Sequence, residues 1–153
     1  MRLSRLLLAL SLAAAACGGS SKPATAPAAA APAPTLYQRL GGQPAIEAVV
    51  DRFLANVVAD ARINKFFTGL PPEEVGKLRR LLVEQVCNAT GGGCAYTGRS
   101  MKEAHAGMQL THEHFAAIVE DLVAALDAAG VAPADKDELL GVLGGLEGDI
   151  VGQ

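Results

Sequence analysis

Apolar side chains recur at spacings of three and four residues along most of the chain, which is the period of an amphipathic α-helix. The clearest stretch contains Ile46, Val49, Val50, Phe53 and Val57 on one face. The same period recurs in the later segments, and no stretch shows the apolar-polar alternation of a half-buried strand. The pattern therefore predicts an all-α fold in which helices pack face to face.

Glycines, prolines and capping residues divide the periodic region into separate helices. Ser100 and Glu103 form a capping-box pattern that predicts the start of a very short helix. Thr111 is placed to cap the helix after it. The predicted helical segments are 36–40, Pro44 to about Ala59, 62–67, about Glu74 to Ala89, the short helix after Ser100, the helix after Thr111 up to Gly130, and a last helix from about Pro133 through Ile150.

The first residues have the features of an export signal. Two arginines precede an apolar run of small and aliphatic residues that is too short to span a bilayer as a stable helix. Residues 1–16 are therefore predicted to be a signal peptide. The run ends at Cys17 in a sequence that resembles a bacterial lipoprotein signal, so Cys17 is the expected lipidated residue, and an ordinary cleaved signal is the alternative. The expected location is outside the cytoplasm, either periplasmic or as a membrane-anchored lipoprotein.

Residues 17–34 are rich in proline and alanine and are predicted to be a linker. The folded domain is then predicted to cover residues 35–153. The first 34 residues contain three basic side chains and no acidic ones, so the remainder carries 10 basic and 16 acidic side chains. This negative balance disfavours a general role in nucleic-acid binding, and the only membrane contact expected is a lipid anchor on Cys17.

Two cysteines lie on either side of a glycine turn. Cys87 and Cys94 are separated by six residues, and in an exported protein such a pair favours a disulfide. Together with His105 they could instead contribute to a zinc site, but the usual close pairs of zinc ligands are absent from the sequence.

The histidines differ in their surroundings. His105 follows Met101 by four residues, so both side chains leave the same face of the short helix between two glycine regions. A neutral imidazole in that position can bind a metal, or it can be a surface residue. His112 and His114 lie two residues apart in the first turn of the next helix, and both are expected to be exposed polar residues.

Several stretches together resemble one protein family. They are Leu36-Tyr37-Gln38-Arg39-Leu40-Gly41-Gly42, Phe66-Phe67, Thr90-Gly91-Gly92 and the run from Tyr96 to Gly107. In this order they resemble the bacterial truncated haemoglobins of group I over about residues 35–151. The resemblance implies a two-over-two helical sandwich around haem b.

The same resemblance implies a set of site residues. His105 matches the proximal ligand of the haem iron, which makes it the expected metal ligand. Phe67 matches the phenylalanine that packs on the porphyrin face. The remaining residues implied to contact the cofactor are Phe53, Leu54, Leu78, Leu82, Tyr96, Met101, Leu110, Phe115 and Ile118.

The chain departs from the family where polar groups often face the gas ligand. Leu54 follows Phe53 where the family often has a tyrosine, and Leu82 occupies the position of a family glutamine. Gln85, one turn further along, is the remaining polar candidate. The cation expected near the haem propionates is absent at Leu81, although Arg79, Arg80 and Arg99 are nearby in the sequence.

These observations lead to two main hypotheses. The first is an exported haem b protein that binds oxygen, nitric oxide or carbon monoxide opposite His105. In that case it serves in oxygen binding or in nitric oxide detoxification, with an electron donor as a further partner. The second is an exported helical binding or interaction module without haem, with Cys87 and Cys94 joined as a staple.

Overall fold

A computed structural model of the chain describes residues 32–153. The predicted signal peptide (residues 1–16), Cys17 and most of the predicted linker lie outside the described residues. The described part contains α-helices joined by turns and contains no strand, which confirms the all-α prediction. The elements are α1 (Leu36–Arg39), α2 (Gly42–Ala59), a 3-10 turn (Asn64–Phe66), α3 (Pro72–Ala89), α4 (Met101–His105), α5 (His112–Ala128), α6 (Pro133–Gly144) and α7 (Glu147–Ile150).

Helix α2 lies at the centre of the fold and packs against both α3 and α5. Its buried residues are Ile46, Val50, Phe53 and Val57, which follow the spacing of three and four that the sequence predicts. The periodic face of α2 is therefore the surface on which the two other long helices assemble. None of the helices within residues 32–153 has the length and apolar character needed to cross a membrane.

Reciprocal capping boxes fix the first turns of three helices. The Thr35 hydroxyl accepts a hydrogen bond from the Gln38 N–H, and Ser100 and Thr111 act in the same way at the starts of α4 and α5. The predicted caps at Ser100 and Thr111 are therefore present. Such caps satisfy N–H groups that would otherwise lack partners, and this matters most for α4 because it has only five residues.

The last helix is shorter than predicted. The sequence pattern predicts one helix from about Pro133 through Ile150, but α6 ends at Gly144 and α7 begins at Glu147. The break coincides with two consecutive glycines, whose conformational freedom disfavours a helix interior. Val142, within α6, is on the outside, with 43% of its surface exposed. Helix α3 in turn begins at Pro72, earlier than predicted, because proline is well suited to a first helical position.

The end of α3 is held tightly. A disulfide joins Cys87, which is buried in α3, to Cys94 beyond the glycine turn, and their Cα atoms are 5.7 Å apart. The Asn88 side-chain amide also donates a hydrogen bond to the Cys94 carbonyl at 2.8 Å. Between the two cysteines, a Cβ atom on Gly92 would lie 2.5 Å from both the Cys87 sulfur and the Tyr37 ring. Because glycine has no Cβ, Gly92 lets the main chain of the turn approach the Cys87 sulfur and the Tyr37 ring this closely.

Loss of the disulfide should lower the free energy of unfolding. For a loop this short, the chain-entropy model gives about 2–3 kcal/mol. Cys94→Ala and the double variant Cys87→Ala/Cys94→Ala should both show a loss of about this size in urea unfolding, because one covalent constraint is removed in each case. Wild-type protein treated with a reductant should behave like Cys94→Ala. Detection of two free thiols at positions 87 and 94 in unreduced, exported protein would contradict the prediction.

Candidate functional site

A large cavity of about 660 Å³ lies between α2, α3, α4 and α5 in the described part of the chain. Its volume falls within the range of roughly 300–1,000 Å³ that is typical of ligand and cofactor sites. The 3-10 turn and the C-terminal helices α6 and α7 complete its walls. Most of the lining side chains are aliphatic or aromatic, so the interior suits a large and mainly apolar ligand.

His105, the last residue of α4, contributes an imidazole to this cavity. Its Nδ1 lies 2.7 Å from the Met101 carbonyl oxygen, four residues earlier. A carbonyl oxygen can only accept a hydrogen bond, so Nδ1 carries the proton and donates. In the neutral ring, Nε2 then keeps a lone pair that can bind a metal.

His114 also lines the cavity, in contrast to the prediction that it would be exposed. Its ring is half-buried and packs edge-on against Phe66, with ring centroids 5.1 Å apart. The Thr111 N–H donates to Nδ1 of His114 at 3.1 Å, so in the neutral ring the proton is on Nε2. A protonated nitrogen cannot bind a metal ion. The two cavity histidines thus have opposite tautomers, and His105 is the one arranged as a ligand.

His112 is exposed, as predicted. About 78% of its side chain is accessible, and its Nδ1 lies 2.7 Å from a carboxylate oxygen of Glu147. The His114 side chain points inwards because two positions along an α-helix correspond to a turn of about 200° around the helix axis. The exposure of His112 and the partial burial of His114 therefore follow from their places around the same helix.

Helix α3 provides one wall of the cavity. Leu78, Leu82 and Gln85 lie along it and all three line the cavity. The Gln85 side chain makes no hydrogen bond with another described residue, so its amide is available to a ligand. The lining residues of α3 also include the charged Glu74, Lys77 and Arg80.

Leu54 does not line the cavity, contrary to the sequence-based expectation. It packs instead against the buried cluster of Ile46, Val50 and Val83, between α2 and α3. Successive residues of a helix point about 100° apart. With Phe53 among the lining residues, the next side chain is directed towards the neighbouring helix.

The polar residues of the cavity lining include several charged side chains. Arg80 donates to Glu84 at 2.5 Å and to the Thr97 hydroxyl at 2.8 Å. The Thr97 N–H also donates to Glu84, at 2.9 Å. These hydrogen bonds, those from Thr97 first, hold the pKa of Glu84 below its usual value. They also attach the segment that carries Tyr96 and Arg99 to helix α3.

The arginines that were candidates for propionate contacts differ in position. Arg80 and Arg99 line the cavity, whereas Arg79 does not. Arg79 reaches across to α2 and pairs with Asp51, with Nε and Oδ1 2.5 Å apart.

Tyr96, another lining residue, has a hydroxyl whose pKa is raised by burial. The negative charge of Glu84 raises this pKa further.

The structure brings ten of the eleven predicted site residues together around one cavity. Those that line it are Phe53, Phe67, Leu78, Leu82, Tyr96, Met101, His105, Leu110, Phe115 and Ile118. Sequence reasoning did not identify some further lining residues, because contacts between distant segments leave no local signal. They include Phe66, Met108, His114, Leu146 and Ile150. Leu146 and Ile150 fall within the last predicted helix, but nothing in its pattern indicated a site.

The zinc alternative lacks its ligands within residues 32–153. No group of three or more histidine, cysteine or carboxylate side chains in this region is placed to hold a metal ion. In the structure Cys87 and Cys94 are joined to each other, so neither offers a thiolate.

Comparison with known proteins identifies the family. The sequence profile of the bacterial-like globins matches residues 35–151. A group 1 truncated hemoglobin of Mycolicibacterium paratuberculosis is 39% identical over 116 residues, which are 76% of this chain and 83% of that protein. The chain belongs to the group I truncated haemoglobins. A second member of this family, from Tetrahymena pyriformis, is 35% identical over 78% of this chain and 96% of its own length.

Solved structures of truncated haemoglobins share this fold. The Fe(III) form from Tetrahymena pyriformis superposes with a TM-score of 0.74 at 34% identity, covering 78% of this chain and all of that one. The 2/2 hemoglobin of a Synechococcus species, crystallised in the cyanomet state with covalently attached heme, gives 0.71 at 32% identity, again over 78% of this chain and all of that one. The predicted two-over-two sandwich is thereby confirmed.

The cofactor of this truncated haemoglobin is haem, and the cavity fits it. The space is large and apolar, His105 offers a free Nε2, and Arg80 and Arg99 bring cations that suit carboxylate groups. The residues that would hold the haem are therefore His105 at the iron, the apolar walls around the ring, and the charged residues of the lining. Haem-based ligand binding replaces the hypothesis of a helical module without a cofactor.

Removal of the His105 imidazole should abolish axial ligation, whereas removal of the His114 imidazole should not. His105→Gly should lose most haem uptake and its Soret band, and added imidazole should restore part of the band. The matched control is His114→Gln, because glutamine can accept the same capping hydrogen bond from Thr111. The control should take up haem one to one with a spectrum like that of the wild type. An unchanged spectrum in His105→Gly, or its loss in His114→Gln, would refute the assignment.

Proposed function

We propose that this truncated haemoglobin binds a diatomic gas at a haem iron held by His105, with oxygen, nitric oxide and carbon monoxide as the candidate ligands. When bound, haem supplies the iron position that such gases occupy. The observation that carries the proposal is the tautomer of His105: its Nδ1–H is committed to the Met101 carbonyl, and its Nε2 remains free in an apolar cavity. The protein then determines polarity and access around the ligand.

The side chains of α3 that line the cavity influence how strongly each gas is retained. With haem in the cavity, oxygen binding would gain more from a nearby hydrogen-bond donor than carbon monoxide binding would, because oxygen is the better hydrogen-bond acceptor. Leu78 and Leu82 have no donor, and Leu54 is turned into the core. Gln85 is the one amide on this wall. We therefore propose an essentially apolar ligand environment that releases oxygen quickly and lets the haem oxidise readily.

Export and lipid anchoring are also part of the proposed function. The basic start, the short apolar run and Cys17 support an exported protein whose anchor is the lipidated cysteine. The proline- and alanine-rich linker would then separate the haem domain from the membrane surface.

A lipid on Cys17 can be tested directly. In bacterial cells supplied with a labelled fatty acid, the wild-type chain should become labelled and fractionate with membranes, whereas Cys17→Ala should be unlabelled. Cys94→Ala is the matched control and should be labelled as the wild type is. A soluble, unlabelled wild-type protein that has lost residues 1–16 would support an ordinary cleaved signal instead.

The apolar-wall proposal predicts that Gln85 has little influence on oxygen. Oxygen dissociation should be fast in the wild type and should change less than about tenfold in Gln85→Leu, a difference of roughly 1.4 kcal/mol. Stopped-flow measurement of oxygen release measures both rates, and carbon monoxide dissociation should be almost the same in the two proteins. Slow release by the wild type, accelerated at least about tenfold in Gln85→Leu, would show instead that Gln85 is the donor.

A further inference from the structure

The helix that carries His105 cannot be stable on its own. Helix α4 has five residues, far fewer than an isolated helix needs in water. Its N-terminal end is secured by the capping box between Ser100 and Glu103. At the other end, the His105 ring is joined by a hydrogen bond to the Met101 carbonyl, which spans the whole helix. The geometry of the ligand therefore depends on what fixes the chain after His105.

The loop that follows His105 has an unusual backbone. Gly107 has a φ of +81°, and Gln109 has a φ of +52°, the one positive value outside glycine in residues 32–153. A glutamine in the left-handed region is strained and persists only where its surroundings hold it. The loop must consequently be supported by contacts from elsewhere in the fold.

That support comes from the last residues of the described chain. The Gln109 N–H donates to the Gln153 carbonyl at 2.9 Å, and the Gly152 N–H donates to the Leu110 carbonyl, also at 2.9 Å. We call Gly152 and Gln153 the C-terminal strap. It follows α7, which packs directly against α4.

We propose that the C-terminal strap is a positioning element for the proximal ligand: by pinning residues 109–110 it keeps α4 wound and His105 aligned towards the iron. The proposal rests on the assignment of His105 as the iron ligand. The strap acts through the backbone, because both hydrogen bonds join main-chain atoms. If the loop is released, the end of α4 is free to unwind, and the bond from His105 Nδ1 to Met101 weakens. Such outer contacts control both the orientation and the basicity of a ligating imidazole.

Three variants of the protein, each loaded with haem, test the strap. A chain that stops after Val151 removes both backbone hydrogen bonds and leaves α7 in place. Gly152→Pro keeps the length of the chain but removes one donor and excludes the positive φ of +75° at that residue. Gln153→Ala is the matched control, since it removes only the side chain and its long contacts of 3.3 and 3.5 Å to Val151 and Gly148 carbonyls.

Two measurements separate positioning from general stability. In resonance Raman spectra of the ferrous protein, the iron–histidine stretching frequency should fall or broaden in both strap variants, and should be unchanged in Gln153→Ala. Transfer of haem to excess apomyoglobin should be faster in the strap variants by about tenfold or more, the usual scale for loss of an outer contact to a metal ligand. Circular dichroism should show that the long helices are retained in all four proteins, with at most the small loss of signal that unwinding of the five-residue α4 would cause in the strap variants.

Wild-type frequency and haem transfer in both strap variants would overturn the proposal. The proposal is also overturned if Gln153→Ala changes the iron–histidine frequency as much as the two strap variants do, because the Gln153 side chain would then be responsible. If the chain that stops after Val151 fails to fold, Gly152→Pro tests the strap instead, since this variant removes no residue. Failure of the wild type to show any iron–histidine band would contradict the assignment of His105 itself, and is thereby distinguished from failure of the strap.

Discussion

The hydrogen bond from His105 Nδ1 to the Met101 carbonyl is the interaction on which the site depends. It joins the first and last residues of α4, and it decides which ring nitrogen carries the proton. Without it, Nε2 would be free only in a fraction of the molecules. The capping box at Ser100 and the backbone hydrogen bonds after His105 support this interaction, because they keep the single turn of α4 in place. A haem protein of this kind needs one imidazole held in one tautomer, and the fold secures it locally.

An unfilled cavity of this size lowers the stability of the folded chain. A space of about 660 Å³ lined mainly by apolar side chains forgoes the packing contacts that a filled core would have. Filling it with haem returns those contacts, so cofactor binding and folding are expected to be linked. The disulfide at the end of α3 and the hydrogen bonds between Glu84 and Thr97 act on the same region. They join the helix that forms one wall to the segment that carries Tyr96 and Arg99.

Much of the fold could be predicted from local signals. The period of apolar residues in α2 and the caps at Ser100 and Thr111 depend on neighbours within a few positions, and these elements form where the sequence places them. The last helix shows the limit of this reasoning. Its apolar positions continue through Ile150, but two glycines interrupt it and redirect Leu146 and Ile150 into the cavity. Periodicity describes which residues are buried, and it does not say against which partner.

Residue order and spacing were enough to predict the all-α architecture, the family resemblance and His105 as the candidate ligand. Three features depend instead on how the helices pack: His114 faces inwards with the wrong tautomer for a metal, Leu54 belongs to the core, and Arg79 is committed to Asp51. The rotation of each helix about its axis makes these distinctions, and that rotation is set by packing against helices far away in the sequence.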